Sequence, residues 1–255
     1  MRLAVLLCAT LALGALGAQT PRRVSVAAAA DLKWAMEEVR REFTKDHPGI
    51  QVEVTFGSSG QFYAQLTQKA PFDLFLSADL DYARKLQEAG LGHSLFTYAI
   101  GRLVLAVPAE SKLDLEGRGL KVLLEPSVKH VAMANPIHAP YGRAAQAALV
   151  SSGLAAQVQP KVVLGENVSQ AAQFVHTRAA EAGLVALALT LAPEMARETR
   201  TWLVPAALYP PLEQGGVILS WARDPEAAAA FRAFLAGPRG QAILGRFGFE
   251  PPKRN

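Results

Sequence analysis

The stretch Val52–Leu66, VEVTFGSSGQFYAQL, constrains the fold of this chain more than any other. Val52, Val54 and Phe56 alternate on one side of an extended segment, Gly57-Ser58-Ser59-Gly60 interrupts it, and Phe62 and Leu66 then fall four apart on one helical face. A strand that passes into a helix through small residues leaves the first-turn amides facing outward. Those amides have no partner inside the helix, and the dipole makes that end partly positive. With two hydroxyls beside them the junction suits an anion. The same residues also describe a Ser-rich N-cap and tight turn.

The construction recurs. Val24-Ser25-Val26 opens a strand that Ala27–Ala30 continue, and a helix follows from Asp31 with Leu32, Met36, Val39 and Phe43 on one face. Asp31 then reads as the N-cap, its carboxylate accepting amides of the first turn. A third junction runs from the strand Val131–Ala134 through Asn135-Pro136 and Pro140-Tyr141-Gly142 into a helix from Arg143 to about Val150. The fourth runs from the strand Lys161–Leu164 through Gly165-Glu166-Asn167-Val168 into a helix over Ser169–Thr177. Further strands are expected at Phe72–Leu76, Arg102–Pro108, Gly183–Ala188, Trp202–Val204 and Gly216–Trp221, with Lys121–Leu124 either a short helix or a strand. Helices are expected after Asp79, after Asp224-Pro225 and up to Gly248. Strands alternate with helices almost throughout, so the class is α/β with mainly parallel sheets.

Arg2 is the only charge in the first 18 residues, Leu3–Leu16 is nearly unbroken apolar sequence, and Ala15-Leu16-Gly17-Ala18 supplies small residues for cleavage. Residues 1–18 therefore read as a secretory signal peptide. The one cysteine, Cys8, lies inside it, so the mature chain has no thiol, disulfide or cysteine metal site. Export without cysteines points to a bacterial periplasm. The 26 Lys and Arg against 22 Asp and Glu are scattered, whereas a nucleic-acid surface would concentrate its basic residues.

Catalytic signatures are missing. Gly57-Ser58-Ser59-Gly60-Gln61 does not fit G-x-S-x-G, and no Walker loop, dinucleotide fingerprint or H-E-x-x-H occurs. The five histidines, His47, His93, His130, His138 and His176, are dispersed, and His130 and His138 read as surface residues rather than metal ligands. Binding without chemistry is the better fit. If the four junctions converge, their amides surround a small oxyanion with neutral donors and replace the hydration that burial removes. Each charge-assisted hydrogen bond contributes roughly 1.5–3 kcal/mol.

Val26–Leu32 (VAAAADL), Phe56–Gly60 (FGSSG), Phe72–Asp79 (FDLFLSAD), Asn135–Gly142 (NPIHAPYG), Gly165–Val168 (GENV) and the ending Gly237–Phe249 occur in an order and spacing that resembles one family. From about Val24 to Phe249 the chain is similar to the periplasmic molybdate-binding proteins of ABC transporters, the ModA family. The resemblance implies a type II, two-lobed periplasmic binding protein, each lobe a mainly parallel sheet flanked by helices, with the ligand in the hinge cleft. One lobe would be residues 22–104 plus 208–254, the other 105–207. The ligand would be molybdate or tungstate, delivered by a monomer to a membrane permease, with no cofactor, no catalytic residue and no direct protein–metal ligation.

By the same resemblance Ser59 donates its hydroxyl and amide, and Ser58 is a second side-chain donor. Ala30, Asp31, Tyr141 and Val168 contribute amides, with the Tyr141 hydroxyl as an extra. Two positions depart from the family. Many relatives have serine at Asp31 and tyrosine at Ala186, and Tyr141 would replace the lost hydroxyl. Asp31 is expected to turn to its own helix. The alternative is a protonated Asp31, or one that accepts from a protonated oxyanion such as hydrogen phosphate. Two other functions stay open. One is a receptor for sulfate or phosphate, the other a secreted serine hydrolase, which requires a histidine within reach of Ser58 or Ser59.

Overall fold

In the computed structural model, which describes residues 22–252, the chain builds most of one five-stranded sheet, leaves it for a second and returns. The signal peptide expected over residues 1–18 lies outside the described residues. β1 (Arg22–Ala29) passes through a 3-10 turn at Ala30–Leu32 into α1 (Lys33–Asp46), followed by β2 (Ile50–Gly57), α2 (Ser59–Thr67), β3 (Leu74–Ser77), α3 (Leu80–Glu88) and β4 (Gly92–Gly101). The second sheet begins with β5 (Leu103–Pro108). It continues through α4 (Leu115–Arg118), β6 (Val131–Ala134), α5 (Pro140–Ser151), α6 (Ala155–Val158), β7 (Val162–Gly165) and α7 (Val168–His176). β8 (Ala182–Ala186), α8 (Leu187–Thr190), α9 (Pro193–Ala196) and β9 (Thr199–Leu203) complete it. β10 (Leu212–Leu219) rejoins the first sheet, and α10 (Pro225–Ala236) and α11 (Pro238–Arg246) cover it.

The strand orders are β2-β1-β3-β10-β4 and β7-β6-β8-β5-β9. In each sheet the first three strands pair in parallel and the fourth is antiparallel to both neighbours, so only that strand runs against the rest. The reversed strands are β10 and β5, which follow the two crossings between the sheets. The inner parallel strands β3, β6 and β8 and most of β1 are buried on both faces, as helices on either side require, while the edge strands β2 and β7 keep exposed residues. Val24, Val26, Ala27 and Ala28 of β1 are all inaccessible.

The apolar face Leu32, Met36, Val39 and Phe43 is fully buried against Phe231, Leu235, Ile243 and Leu244. Phe43 meets Phe231 edge-on with ring centroids 5.1 Å apart. Burying each such side chain stabilises by roughly 1.5–3 kcal/mol. A separate core under β5, β6 and β8 takes the inner faces of α5 and α7.

Several boundaries differ from the sequence expectation. α1 begins at Lys33 rather than Asp31, because the 3-10 turn intervenes. α5 begins at Pro140 rather than Arg143, since proline is preset for a first helical turn. The run Gly183–Ala188 splits into β8 and α8, and Lys121–Leu124 belongs to a 3-10 segment, Gly119–Leu124. β4 had no sequence counterpart: register shifts against β10 and a left-handed Ser94 (φ 57°) break its alternation. β10 starts at Leu212 rather than Gly216, which brings Gln214 into the sheet.

Candidate anion-binding site

The four strand-to-helix junctions converge. The carboxyl ends of β1, β2, β6 and β7 face a common gap, the place where open parallel sheets hold ligands. One small cavity there is lined by Ala29, Ala30 and Asp31, by Gly57, Ser58 and Ser59, by Ala139, Pro140 and Tyr141, by Asn167 and Val168, and by Ala78 at the end of β3. All six residues singled out from the sequence, Ala30, Asp31, Ser58, Ser59, Tyr141 and Val168, lie on this wall. Each is at most 5 % exposed, so anything held there is out of water. No Lys or Arg lines the cavity. A wider groove along Lys112, Asp114, Arg118 and Glu181 is open to solvent and carries both signs of charge.

Local geometry leaves particular donors unspent. The Ala78 amide donates to Ser59 Oγ at 2.9 Å, which frees the Ser59 hydroxyl proton. On α7, Asn167 Oδ1 accepts the amides of Ser169 and Gln170 at 3.0 Å each and leaves the Val168 amide out of the cap. On α5, Pro140 has no N–H, so the Tyr141 amide is the first donor of that helix. Ser58 behaves differently. Its hydroxyl donates to the His138 carbonyl at 2.6 Å and lies 2.9 Å from His138 Nδ1. Ser58 sits at the N-cap of α2 but makes no side-chain cap.

Asp31 does not cap a helix. It lies within the 3-10 turn, and neither that turn nor α1 has a side-chain cap. Its carboxylate instead accepts from Gln214 Nε2 on β10 and lies beside the Tyr141 hydroxyl, itself 3.5 Å from Gln214 Nε2. Asp31 Oδ1 and Gln214 Oε1 have no hydrogen-bond partner among the described residues. Burial pushes the Asp31 carboxyl up to about 6, against the opposing pull of its hydrogen bonds with Gln214 and Tyr141. Burial, and secondarily the Asp31 charge, also raises the Tyr141 and Tyr98 hydroxyls, which remain protonated donors.

Gln214 and Gly101 escaped the sequence reading. A side chain on Gly101 would run into the Tyr141 hydroxyl and come within 2.8 Å of Gln214 Nε2, so the missing Cβ makes room for the cluster. The usable signal was Leu212–Leu219, LEQGGVIL, where an amide enters an otherwise apolar strand beside two glycines. Ala186 pairs with Leu103 in the sheet and does not reach the cavity wall.

Contacts between elements of the two sheets close over the cavity. The Gly60 amide donates to the His138 carbonyl at 2.9 Å, and a Cβ on Gly60 would approach that oxygen and the Tyr82 hydroxyl to 2.6 Å. Arg143 on α5 pairs with Asp79 and donates to the Tyr82 hydroxyl at 3.2 Å, while Gln61 reaches Glu166 at 2.8 Å. Excluding water in this way strengthens hydrogen bonds inside. The Ser58–His138 contact meets the distance condition for the hydrolase reading. The Ser58 proton, however, goes to a carbonyl, and the His138 ring has no carboxylate partner among the described residues.

The family described as bacterial extracellular solute-binding protein matches residues 24–250. The molybdate-binding protein ModA of Azotobacter vinelandii is 38 % identical over 89 % of each chain. That of Rhodobacter capsulatus is 39 % identical over 89 % of this chain and 87 % of its own. The solved Azotobacter vinelandii periplasmic molybdate-binding protein superposes with a TM-score of 0.82 at 34 % identity, covering 90 % of this chain and 100 % of that one. The sulfate-binding protein SubI of Mycobacterium tuberculosis H37Rv shares the fold, with a TM-score of 0.72 at 17 % identity over 90 % of this chain and 87 % of its own. With two such sheets meeting at one buried cavity, the chain belongs to the bacterial extracellular solute-binding proteins and, within them, to the ModA family.

Proposed function

We propose that this protein is a periplasmic receptor that captures molybdate or tungstate and hands it to the membrane permease of an ABC importer. The observation that carries this is the convergence of four strand-to-helix junctions on one buried cavity whose available donors are neutral. The molybdate-binding names of its relatives support the choice of ion. The Ser59 hydroxyl and amide and the amides of Ala30 or Asp31, Tyr141 and Val168 would hold the oxyanion. The oxyanion is cargo, not cofactor, and no protein atom ligates its metal. In this reading the lobes are residues 22–102 plus 208–254 and residues 103–207, the first boundary falling before 104 because Leu103 and Val104 pair with Ala186 and Val185 in the second sheet. The protein acts as a monomer after loss of residues 1–18, with no nucleic-acid partner and no covalent chemistry.

Calorimetric titration of anion-stripped mature protein with molybdate, tungstate, sulfate and phosphate tests the reading. Tight binding of the first two and none of the last two supports it, and a preference for sulfate or phosphate moves the function to another oxyanion. The Ser58–His138 contact is the one observation favouring a hydrolase. Ester turnover abolished by Ser58→Ala would establish that alternative.

A further inference from the structure

A site suited to an oxyanion here contains a buried carboxylate. Asp31 lines the cavity and is 1 % exposed, and its Oδ1 has no partner among the described residues. The groups that face it are uncharged donors: Gln214 from β10, Tyr141 from α5 and the backbone amides of Asp31 and Leu32, with the buried Tyr98 of β4 beyond them and Tyr209 beside Tyr141. The other elements packed on its turn bring no compensating cation. α8 has no ionisable residue, and α7 offers only His176 at its far end, 3.4 Å from Glu198. β2 has only the exposed Glu53. At the start of α1, the Lys33 ammonium lies over the Trp34 ring at 4.8 Å and Glu37 is exposed. Among the described residues no Lys, Arg or His pairs with Asp31.

An ionised carboxylate next to a dianion in a water-excluded cavity is strongly repelled. A proton between the two converts that repulsion into a charge-assisted hydrogen bond donated to the ligand. We propose that Asp31 couples the capture of a fully ionised oxyanion to the uptake of one proton, held between its carboxyl group and a ligand oxygen. The coupling rests on the receptor reading and adds a specificity to it. Burial lifts the carboxyl to about 6, so at neutral pH most of the protein must acquire the proton on binding. Molybdate affinity then falls as pH rises, approaching about tenfold per pH unit in the alkaline range. An oxyanion that carries its own hydrogen, such as the hydrogen phosphate or hydrogen arsenate dianion, can donate to Oδ1 directly and takes up none.

The test is calorimetric titration of the mature chain with sodium molybdate at about pH 8, in two buffers of very different ionisation enthalpy. The expected result is a difference in binding enthalpy equivalent to about one proton per molybdate, with Kd rising about tenfold between about pH 7.5 and 8.5. Asp31→Asn, which supplies an amide donor without a proton, should bind with equal enthalpy in both buffers and a nearly flat pH profile. Tight binding of molybdate by the unaltered chain with no buffer dependence overturns the coupling, whatever the variant does. Failure of the unaltered chain to bind molybdate at any pH overturns the receptor reading, a separate outcome.

Discussion

The Ala78 amide donates to Ser59 Oγ at 2.9 Å, so the end of one strand orients the hydroxyl that heads the next helix in space. With its acceptor side occupied, Ser59 has a proton to give to the cavity. Ser59→Ala should weaken molybdate binding by roughly 1.5–3 kcal/mol, read by calorimetry, and should also lower the melting temperature slightly because the Ala78 amide loses its partner. Unchanged affinity would remove Ser59 from the site.

Ser58 spends its hydroxyl on His138, across the cavity. Ser58→Ala should therefore cost about 0.5–1.5 kcal/mol of affinity, less than the loss at Ser59, since only a closing contact is removed. A loss equal to that of Ser59→Ala would mean that the ligand recruits this hydroxyl as well.

Gly60 lets α2 meet the His138 carbonyl in the facing loop. A Cβ there stands 2.6 Å from that oxygen and from the Tyr82 hydroxyl, and the His138 carbonyl is backbone, which yields little. Gly60→Ala should hold the cleft partly open, measured as a larger radius of gyration in solution scattering with molybdate present, and weaken binding about tenfold or more. A compact liganded form of the variant would show that the contact does not limit closure.

Asp31 makes stability depend on pH in a defined sense. Its folded-state pKa of about 6 lies above the ordinary 3.8, so the folded protein binds this proton more tightly than the unfolded chain does. The group costs nothing below the unfolded value, destabilises progressively as pH rises through the interval between the two, and exerts its full cost above about 6. Asp31→Asn should therefore stabilise the unliganded protein at about pH 7.5 by up to ~3 kcal/mol, with the gain vanishing near pH 4. Denaturant unfolding at the two pH values reads this, and an equal gain at both would assign it to packing.

Gly101→Ala should displace the Tyr141 hydroxyl and the Gln214 amide together. Overpacking of this kind costs about 1–3 kcal/mol of stability. Chemical denaturation would register it, and an unaltered midpoint would mean that the cluster can shift without strain.

The elements that a short window encodes were the legible ones. The Leu32–Phe43 face, the Phe62–Leu66 pair and the four strand-to-helix junctions each depend on side-chain periodicity or first-turn amides within a few residues, and all appear in the structure. β4 was illegible because its pairing with β10 is bulged, which destroys the period-two pattern.

The sequence by itself determined that small residues would expose helix N-termini and that Ser59, Tyr141 and Val168 would sit at those ends, because these features are written in consecutive residues. Only the tertiary structure decided what Asp31 is. A carboxylate after a strand reads locally as a helix cap, yet its hydrogen bond runs to Gln214, 183 residues away, and Gly101 leaves room for Tyr141 beside them. Desolvation depends on everything packed around a group, not on its neighbours in the chain, and here it turned a cap into a buried acid.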